Sequence, residues 1–172
     1  MKIEKLSKGH HRAAFDCGND ALNNYLRTRA AQDVKHNVTT VFVAVEKVDD
    51  IAGFYTLSAT SLHRKILSAE TERRLPKYQA IPAILLGRLT VALDFQGTGL
   101  GGRLLLNAFE RCSRIELAWA FLVTDAKDEQ ARAFYSHYGF FSLQDDPNHL
   151  CLPRKTIIDV MTKKQQESES AL

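Results

Sequence analysis

Several kinds of protein are excluded by what the 172 residues lack. No apolar run approaches the roughly 18 residues that a membrane-spanning helix needs. The first residues, MKIEKLSKGHHR, have no apolar segment of the kind a secretory signal carries. Cysteine occurs only at Cys17, Cys112 and Cys151. That odd, widely spaced set offers neither a disulfide framework nor zinc-ligand spacing, and semi-buried thiols in a reducing cytoplasm are the expectation. His10, His11 and His36 lack ligand spacing too and are expected at the surface, so no metal is expected. Neither sign of charge dominates: the formal net charge is +3, which tolerates a polyanionic partner without demanding one. Internal repeats and interior linkers are absent. The length allows one globular domain with a real core, and residues 1–161 are expected to form it. The polar stretch TKKQQESESAL (162–172) is expected to be a flexible tail. The expected protein is soluble and cytoplasmic.

What is there alternates between two periods. NDALNNYLRTRAAQD (19–33) opens on two good N-caps, Asn19 and Asp20, and continues at helical spacing through Leu22, Tyr25, Leu26 and Arg29. TTVFVAVE (39–46) and IAGFYTLSAT (51–60) read as the two strands of a hairpin turning at Asp49-Asp50. SAETERRL (68–75) is a short polar helix, and AILLGRLTVAL (83–93) is apolar enough for a central strand. Leu100, Leu104, Leu105, Ala108, Phe109 and Cys112 form one helical stripe. LAWAFLVTD (117–125) is a further buried strand. DEQARAFYSHYGF (128–140) is a helix that Asp128 can cap and Gly139 can end. FFSL (140–143) and LCLPRKTII (150–158) are expected to be the last strands. The order predicts an α/β or α+β domain with a mixed sheet.

The densest glycine run, FQGTGLGG (95–102), sits between a strand and a helix. Gly97, Gly99 and Gly102 satisfy the dinucleotide pattern G-x-G-x-x-G, but that unit belongs early in a larger domain and wants an acidic residue about 20 positions on. Asp125 fits this loosely. No Gly-Lys-Ser/Thr follows, which excludes a Walker A loop. The same residues also satisfy Q-x-x-G-x-G through Gln96, Gly99 and Gly101. Glycines opening a helix expose backbone N–H groups in a positive dipole field, where a pyrophosphate can sit. A plain tight turn is the alternative. In ARAFYSHYGF (131–140), Tyr135 adjoins Phe134 on a helix and points about 100° away from it. It reads either as core or as a group that reaches a neighbouring cleft.

Together, strand 84–93, the QGTGLG loop with its helix, strand 117–125 and FYSHYGF resemble, in order and spacing, the GNAT family of N-acetyltransferases. The resemblance implies a GNAT fold: a mixed, mostly antiparallel sheet flanked by helices, whose splayed central strands hold acetyl-CoA. It implies backbone contacts from Leu89, Thr90 and Val91 to the pantetheine. Gln96, Gly97, Thr98, Gly99, Leu100, Gly101 and Gly102 are implied at the pyrophosphate, and Tyr135 as the acid that protonates the leaving thiolate. An Asn common in that family before the last helix is replaced here by the run DAKDEQA. A narrower resemblance, carried by FDCGNDALNNYLRTRAAQD (15–33), IAGFYTLSA (51–59), LLGRLTV (85–91) and DAKDEQARAFY (125–135), is to the GNAT toxins of bacterial toxin–antitoxin modules. It implies acetylation of the α-amino group of aminoacyl-tRNA and arrest of translation. The implied partners are the charged tRNA, a ribbon-helix-helix antitoxin with which the toxin corepresses its operon, operator DNA reached through that antitoxin, and a second copy in a homodimer.

This chemistry is consistent with what the chain offers. An α-amino group titrates near 7.7–8.0, so much of it is neutral at physiological pH and no strong base is needed. The leaving thiolate does need help. A phenol near pKa 10 facing a thiol near 8.5 makes full proton transfer uphill by roughly 2 kcal/mol. Tyr135 is therefore either lowered in pKa or acts as a hydrogen-bond donor to developing charge. The Val91 amide is the candidate oxyanion donor. Phosphate contacts would come from Arg27, Arg29, Lys35, Arg73, Arg74, Lys77 and Arg88, with Arg64, Lys65, Arg154 and Lys155 as further candidates. Arg88 stands apart, because a charge inside an apolar strand is costly unless paired or used. Two other readings are a GNAT enzyme acting on a small amine or protein amino group, and a mainly non-catalytic partner of the antitoxin on DNA.

Overall fold

The computed structural model describes residues 1–170. Its strands are β1 (Lys2–Lys5), β2 (Thr40–Val45), β3 (Ile51–His63), β4 (Ala80–Val91), β5 (Phe121–Asp125), β6 (Phe141–Ser142) and β7 (His149–Pro153). Its α-helices are α1 (Asp20–Asn24), α2 (Ala30–Lys35), α3 (Ala69–Arg73), α4 (Leu100–Ser113), α5 (Glu129–His137) and α6 (Arg154–Ser170). A π-helical turn, Tyr25–Arg29, joins α1 to α2. The strands form one seven-stranded sheet in the order β1-β2-β3-β4-β5-β7-β6. β1 with β2, β2 with β3, β5 with β7 and β6 with β7 pair antiparallel, whereas β4 and β5 run parallel. This is the mixed, mostly antiparallel sheet with helices that the sequence predicts.

The chain forms two compact units. The first comprises Met1–Ser58 and Leu86–Ala108. Its core holds Phe15, Tyr25, Leu26, Val41, Val43 and Phe54. Thr40–Val45 and the first seven residues of β3 are buried on both faces for most of their length, so their apolar residues run continuously instead of alternating. The second unit comprises Ala59–Leu85 and the chain from Phe109 onward. Leu62, Leu67, Ile81, Ala83, Phe121, Val123, Leu143 and Cys151 pack together there.

The structure adds one strand for which the sequence carries no expectation and corrects three readings. Lys2–Lys5 is a strand paired with β2, although its charged, alternating residues show little apolar signal. His10 is buried, not at the surface: Ser7 N–H donates to its Nδ1 at 2.9 Å and its Nε2 lies 3.1 Å from Glu4 Oε1. Residues 117–120 precede strand β5 and are not part of it. The expected strand 150–158 ends at Pro153, and Arg154–Ser170 is a helix that takes in residues 162–170 of the expected tail. A short β-branched run reads equally well at either period. Here Ile157 is fully buried from the helix. Residues 171–172 of the tail lie outside the described residues.

Candidate active site

In the first unit the glycine run lies where β4 gives way to α4. A 3-10 turn, Leu93–Phe95, leads to Gln96. Gly97 and Gly99 then take φ values of +76° and +82°, a left-handed conformation that costs a residue with a Cβ about 1–2 kcal/mol. A Cβ at either position would meet nothing within 4 Å. The glycines therefore serve the backbone path, and the space around them is open. Arg103 N–H donates to Gly99 O at 3.2 Å, which starts α4 after a residue with no side chain to cap it. The N–H groups of Leu100, Gly101 and Gly102 lack intrahelical acceptors, as in any first turn, and the helix dipole is positive there. Leu100 is buried and anchors the turn. An open cradle of free N–H groups fits a pyrophosphate, so the residues present suit acetyl-CoA.

A network at the front of the chain sets this loop. Leu93 N–H donates to Asp16 O at 2.9 Å. Gln96 Nε2 donates to the carbonyls of Cys17 and Val91, both at 3.1 Å. Sequence places Gln96 at the pyrophosphate; in the structure its amide is engaged inside the fold and braces the loop. Asp16 Oδ1 accepts from Gly18 N–H and Asn23 Nδ2, each at 2.8 Å, and these donors hold its carboxyl below the ordinary range. Asn23 Oδ1 accepts from the N–H and the thiol of Cys17 at 2.9 and 3.2 Å. Arg27, a candidate for phosphate contact, donates to Phe15 O at 2.6 Å. Sequence offers no purpose for Asp16-Cys17-Gly18 beyond a turn. Only the long-range partners reveal one.

Leu89, Thr90 and Val91 are half-buried at the end of β4. The parallel pairing of β4 takes in Ala83–Leu85 opposite Phe121–Val123 and none of the residues that follow. On β3, Gly53 was missed by sequence reasoning. A Cβ there would lie 2.9 Å from Thr90 O and 3.0 Å from Leu104 Cδ1, so only glycine lets β3 approach this backbone. Arg88 is half-buried, with its Cζ 3.6 Å from the centroid of the Tyr25 ring.

The second unit carries Tyr135 on α5. Asp128 caps this helix by accepting from Ala131 N–H at 2.8 Å, and Gly139, at φ +93°, ends it. Tyr135 is 6% exposed, with Phe134 and Phe140 at centroid distances of 5.2 and 5.3 Å. Burial raises its phenol above the ordinary value, opposed in part by a hydrogen bond with Thr124. Burial therefore runs against a phenol of lowered pKa at this position. Arg73, Arg74 and Lys77 are exposed in this unit. Arg74 pairs with Glu70 at 2.6 Å and Arg73 Nε donates to Ala69 O at 3.2 Å. Arg64 is committed to Glu72 at 2.9 Å. Arg29, Lys35 and Arg88 belong to the first unit.

The chain belongs to the GNAT acetyltransferases: residues 37–141 match the family model described as an acetyltransferase (GNAT) domain. It is 32% identical over 153 residues to the tRNA-acetylating toxin of Mycobacterium tuberculosis (strain ATCC 25618 / H37Rv), covering 88% of this chain and 90% of that protein. AtaT complexed with acetyl-methionyl-tRNAfMet is 28% identical with a TM-score of 0.86, over 93% of this chain and 98% of that one. AtaTR bound with acetyl-CoA is 26% identical with a TM-score of 0.81, over 93% and 97% of the two chains. AtaT bound to the C-terminus of its antitoxin AtaR, and the AtaT–AtaR complex on DNA, are each 25% identical over 94% of this chain, with TM-scores of 0.79 and 0.75; they cover 98% and 99% of those chains.

Proposed function

We propose that this chain is the toxin of a toxin–antitoxin module, an N-acetyltransferase that moves acetyl from acetyl-CoA to the α-amino group of aminoacyl-tRNA and so blocks translation. A cognate antitoxin neutralises it, and the pair reaches operator DNA through that antitoxin and represses the operon. It works in the cytoplasm, and residues 1–161 carry the acetyltransferase domain. The observation that carries this reading is likeness over nine-tenths of the chain to AtaT in its acetyl-methionyl-tRNA complex.

The acetyl donor supplies an activated thioester. Gly97, Thr98, Gly99, Leu100, Gly101 and Gly102 hold its pyrophosphate through backbone N–H groups at the start of α4, and Gln96 keeps that loop in place. Leu89, Thr90 and Val91 hold the pantetheine through the backbone, and the Val91 amide faces the developing oxyanion. The acceptor amine attacks as the free base, which an α-amino group supplies at physiological pH. Tyr135 keeps its proton at neutral pH and donates it, or a strong hydrogen bond, to the departing thiolate. Arg27, Arg29, Lys35, Arg73, Arg74, Lys77 and Arg88 attract phosphates of the acceptor RNA. Arg27 and Arg74 do so less, because the one already holds Phe15 O and the other pairs with Glu70.

The test uses purified protein, labelled acetyl-CoA and total charged tRNA, with deacylated tRNA as control. Label that enters charged tRNA alone supports the reading. Label that appears only on small amines or protein, with acetyl-CoA bound normally, keeps the enzyme class and removes the toxin.

A further inference from the structure

The Tyr25–Arg29 π turn interrupts an otherwise regular helical segment, and single π turns occur often at functional sites. Here it carries Tyr25, whose ring is 4% exposed and stacks beside Phe54 at 6.2 Å and 24°. Phe54 in turn meets Phe15 edge-on at 5.4 Å. The Tyr25 hydroxyl donates to Asp33 Oδ2 at 3.1 Å. Burial pushes the phenol up to about 12, so it keeps that proton at neutral pH. Ring and hydroxyl are thus both fixed.

Over this fixed ring lies the guanidinium of Arg88, 3.6 Å from the centroid. Such stacking contributes about 0.5–2 kcal/mol, more as water is excluded. Arg88 and, at the longer distance of 5.3 Å over Trp119, Arg154 are the arginines the fold engages through a ring. Arg27, Arg64, Arg74, Arg114 and Arg132 each reach a carbonyl or carboxylate. Among the described residues, the Arg88 guanidinium meets no carboxylate and no hydrogen-bond acceptor. Only its backbone N–H is engaged, with Thr56 Oγ1 at 3.0 Å. The nearby negative charge, Asp33, is held on the Tyr25 hydroxyl and takes no hydrogen bond from the guanidinium, whose N–H groups stay open to the anion of a ligand. Stacked over a ring, a guanidinium keeps its planar fork of five donors for that ligand, a geometry suited to phosphate. Arg88 immediately precedes Leu89–Val91 on β4, the residues proposed to hold the pantetheine, and stands before the pyrophosphate loop in the chain.

We infer that Tyr25, set by the π turn and by Asp33, is a positioning residue that holds the Arg88 guanidinium to bind a phosphate in the single-stranded 3′ end of the acceptor RNA. The inference rests on the proposed reading that the acceptor is charged tRNA. It gives the helical segment at residues 20–35 a role in acceptor binding beside its role as a brace.

Steady-state acetylation of charged tRNA, tRNA binding against salt, and acetyl-CoA calorimetry with the full chain test it. Loss of one charged hydrogen-bonded contact is worth about tenfold or more in affinity. Arg88→Gln should raise KM for charged tRNA by about that factor and lower the slope of log K against log salt by about 0.7, the value for one single-strand phosphate. Tyr25→Leu should raise KM similarly, with kcat within about twofold and acetyl-CoA affinity unchanged. Tyr25→Phe keeps the ring and should return KM to within about threefold of wild type. An unchanged salt slope in Arg88→Gln, or equal KM values in Tyr25→Phe and Tyr25→Leu, would overturn the inference while leaving the tRNA reading intact. Wild-type protein that puts no label on charged tRNA would overturn both.

Discussion

Gln96 Nε2 donates to the carbonyl of Cys17 at 3.1 Å, joining residues 79 apart in the chain. The same amide holds Val91 O, and Leu93 N–H holds Asp16 O. The segment 93–96 is therefore fastened to the front of the chain by both main-chain and side-chain bonds. Gly97 and Gly99 by themselves favour an open loop with many accessible conformations. The brace reduces that freedom before any ligand arrives, which lowers the entropic cost of binding.

Asn23 is the centre of the brace. It is 4% exposed and serves Cys17 N–H, the Cys17 thiol and Asp16 at once. Asn23→Ala leaves a buried N–H without an acceptor, a loss of about 1–3 kcal/mol. Urea denaturation should show that loss as a lower midpoint at constant m-value. Acetyl-CoA affinity should fall as well, because the loop is no longer held. Full affinity in the variant would mean that the loop sets its own shape.

Two glycines should answer differently to the same substitution. At Gly53 a Cβ meets Thr90 O at 2.9 Å and Leu104 Cδ1 at 3.0 Å. Gly53→Ala should cost about 1–3 kcal/mol by overpacking and should disturb the β4 backbone. At Gly99 the space is empty and only the φ of +82° resists. Gly99→Ala should cost about 1–2 kcal/mol and keep much of the acetyl-CoA affinity. Gly99→Glu should abolish binding by adding bulk and negative charge to an anion site. Calorimetry that shows unchanged affinity in Gly99→Glu would remove the pyrophosphate from this loop.

The contrast shows what sequence could and could not disclose. The hairpin β2–β3, strand β4, the α4 stripe, the Asp128 cap and the glycine loop rest on local patterns, and each appears near its expected place. Gly53 and Asn23 do not, because their importance lies in contacts distant along the chain, where no periodicity reports them. Arg88 was flagged by an energetic oddity, a charge in an apolar strand. Its partner Tyr25 was hidden, since an aromatic at helical spacing reads as core. The helix Arg154–Ser170 was partly misread because tertiary burial of Ile157 decides between two periods that a short apolar run leaves equal.

Alkaline pH should destabilise the fold in a defined window. Burial pushes the thiols of Cys112 and Cys151 and the phenol of Tyr25 up to about 12. In each case the folded value lies above the unfolded one. Their contribution is complete below the unfolded pKa, about 8.5 for a thiol and 10 for a phenol, and is lost as pH rises toward 12. Chemical denaturation between pH 8 and 11 should show stability falling as the unfolded thiols ionise. Cys112 is fully buried, so Cys112→Ala should flatten that slope by up to about 1.4 kcal/mol per pH unit, the value for one proton. A slope identical to wild type would mean that the Cys112 thiol ionises equally in both states.

Tyr135→Phe separates chemistry from packing. The ring contacts with Phe134 and Phe140 survive, and only the hydroxyl and its bond with Thr124 are lost. Stability should change by no more than about 1–2 kcal/mol, and acetyl-CoA binding should persist. General-acid assistance is worth about 10²–10⁴-fold, so kcat should fall by that order with KM for either substrate little changed. Expression of the variant should no longer arrest growth. Because burial raises the phenol above its ordinary value, wild-type activity should show no decline assignable to this group until the pH passes about 10. A variant that keeps its fold and still turns over near the wild-type rate would transfer the proton-donating role to water or to another residue, and Tyr135 would stand as a packing residue of α5.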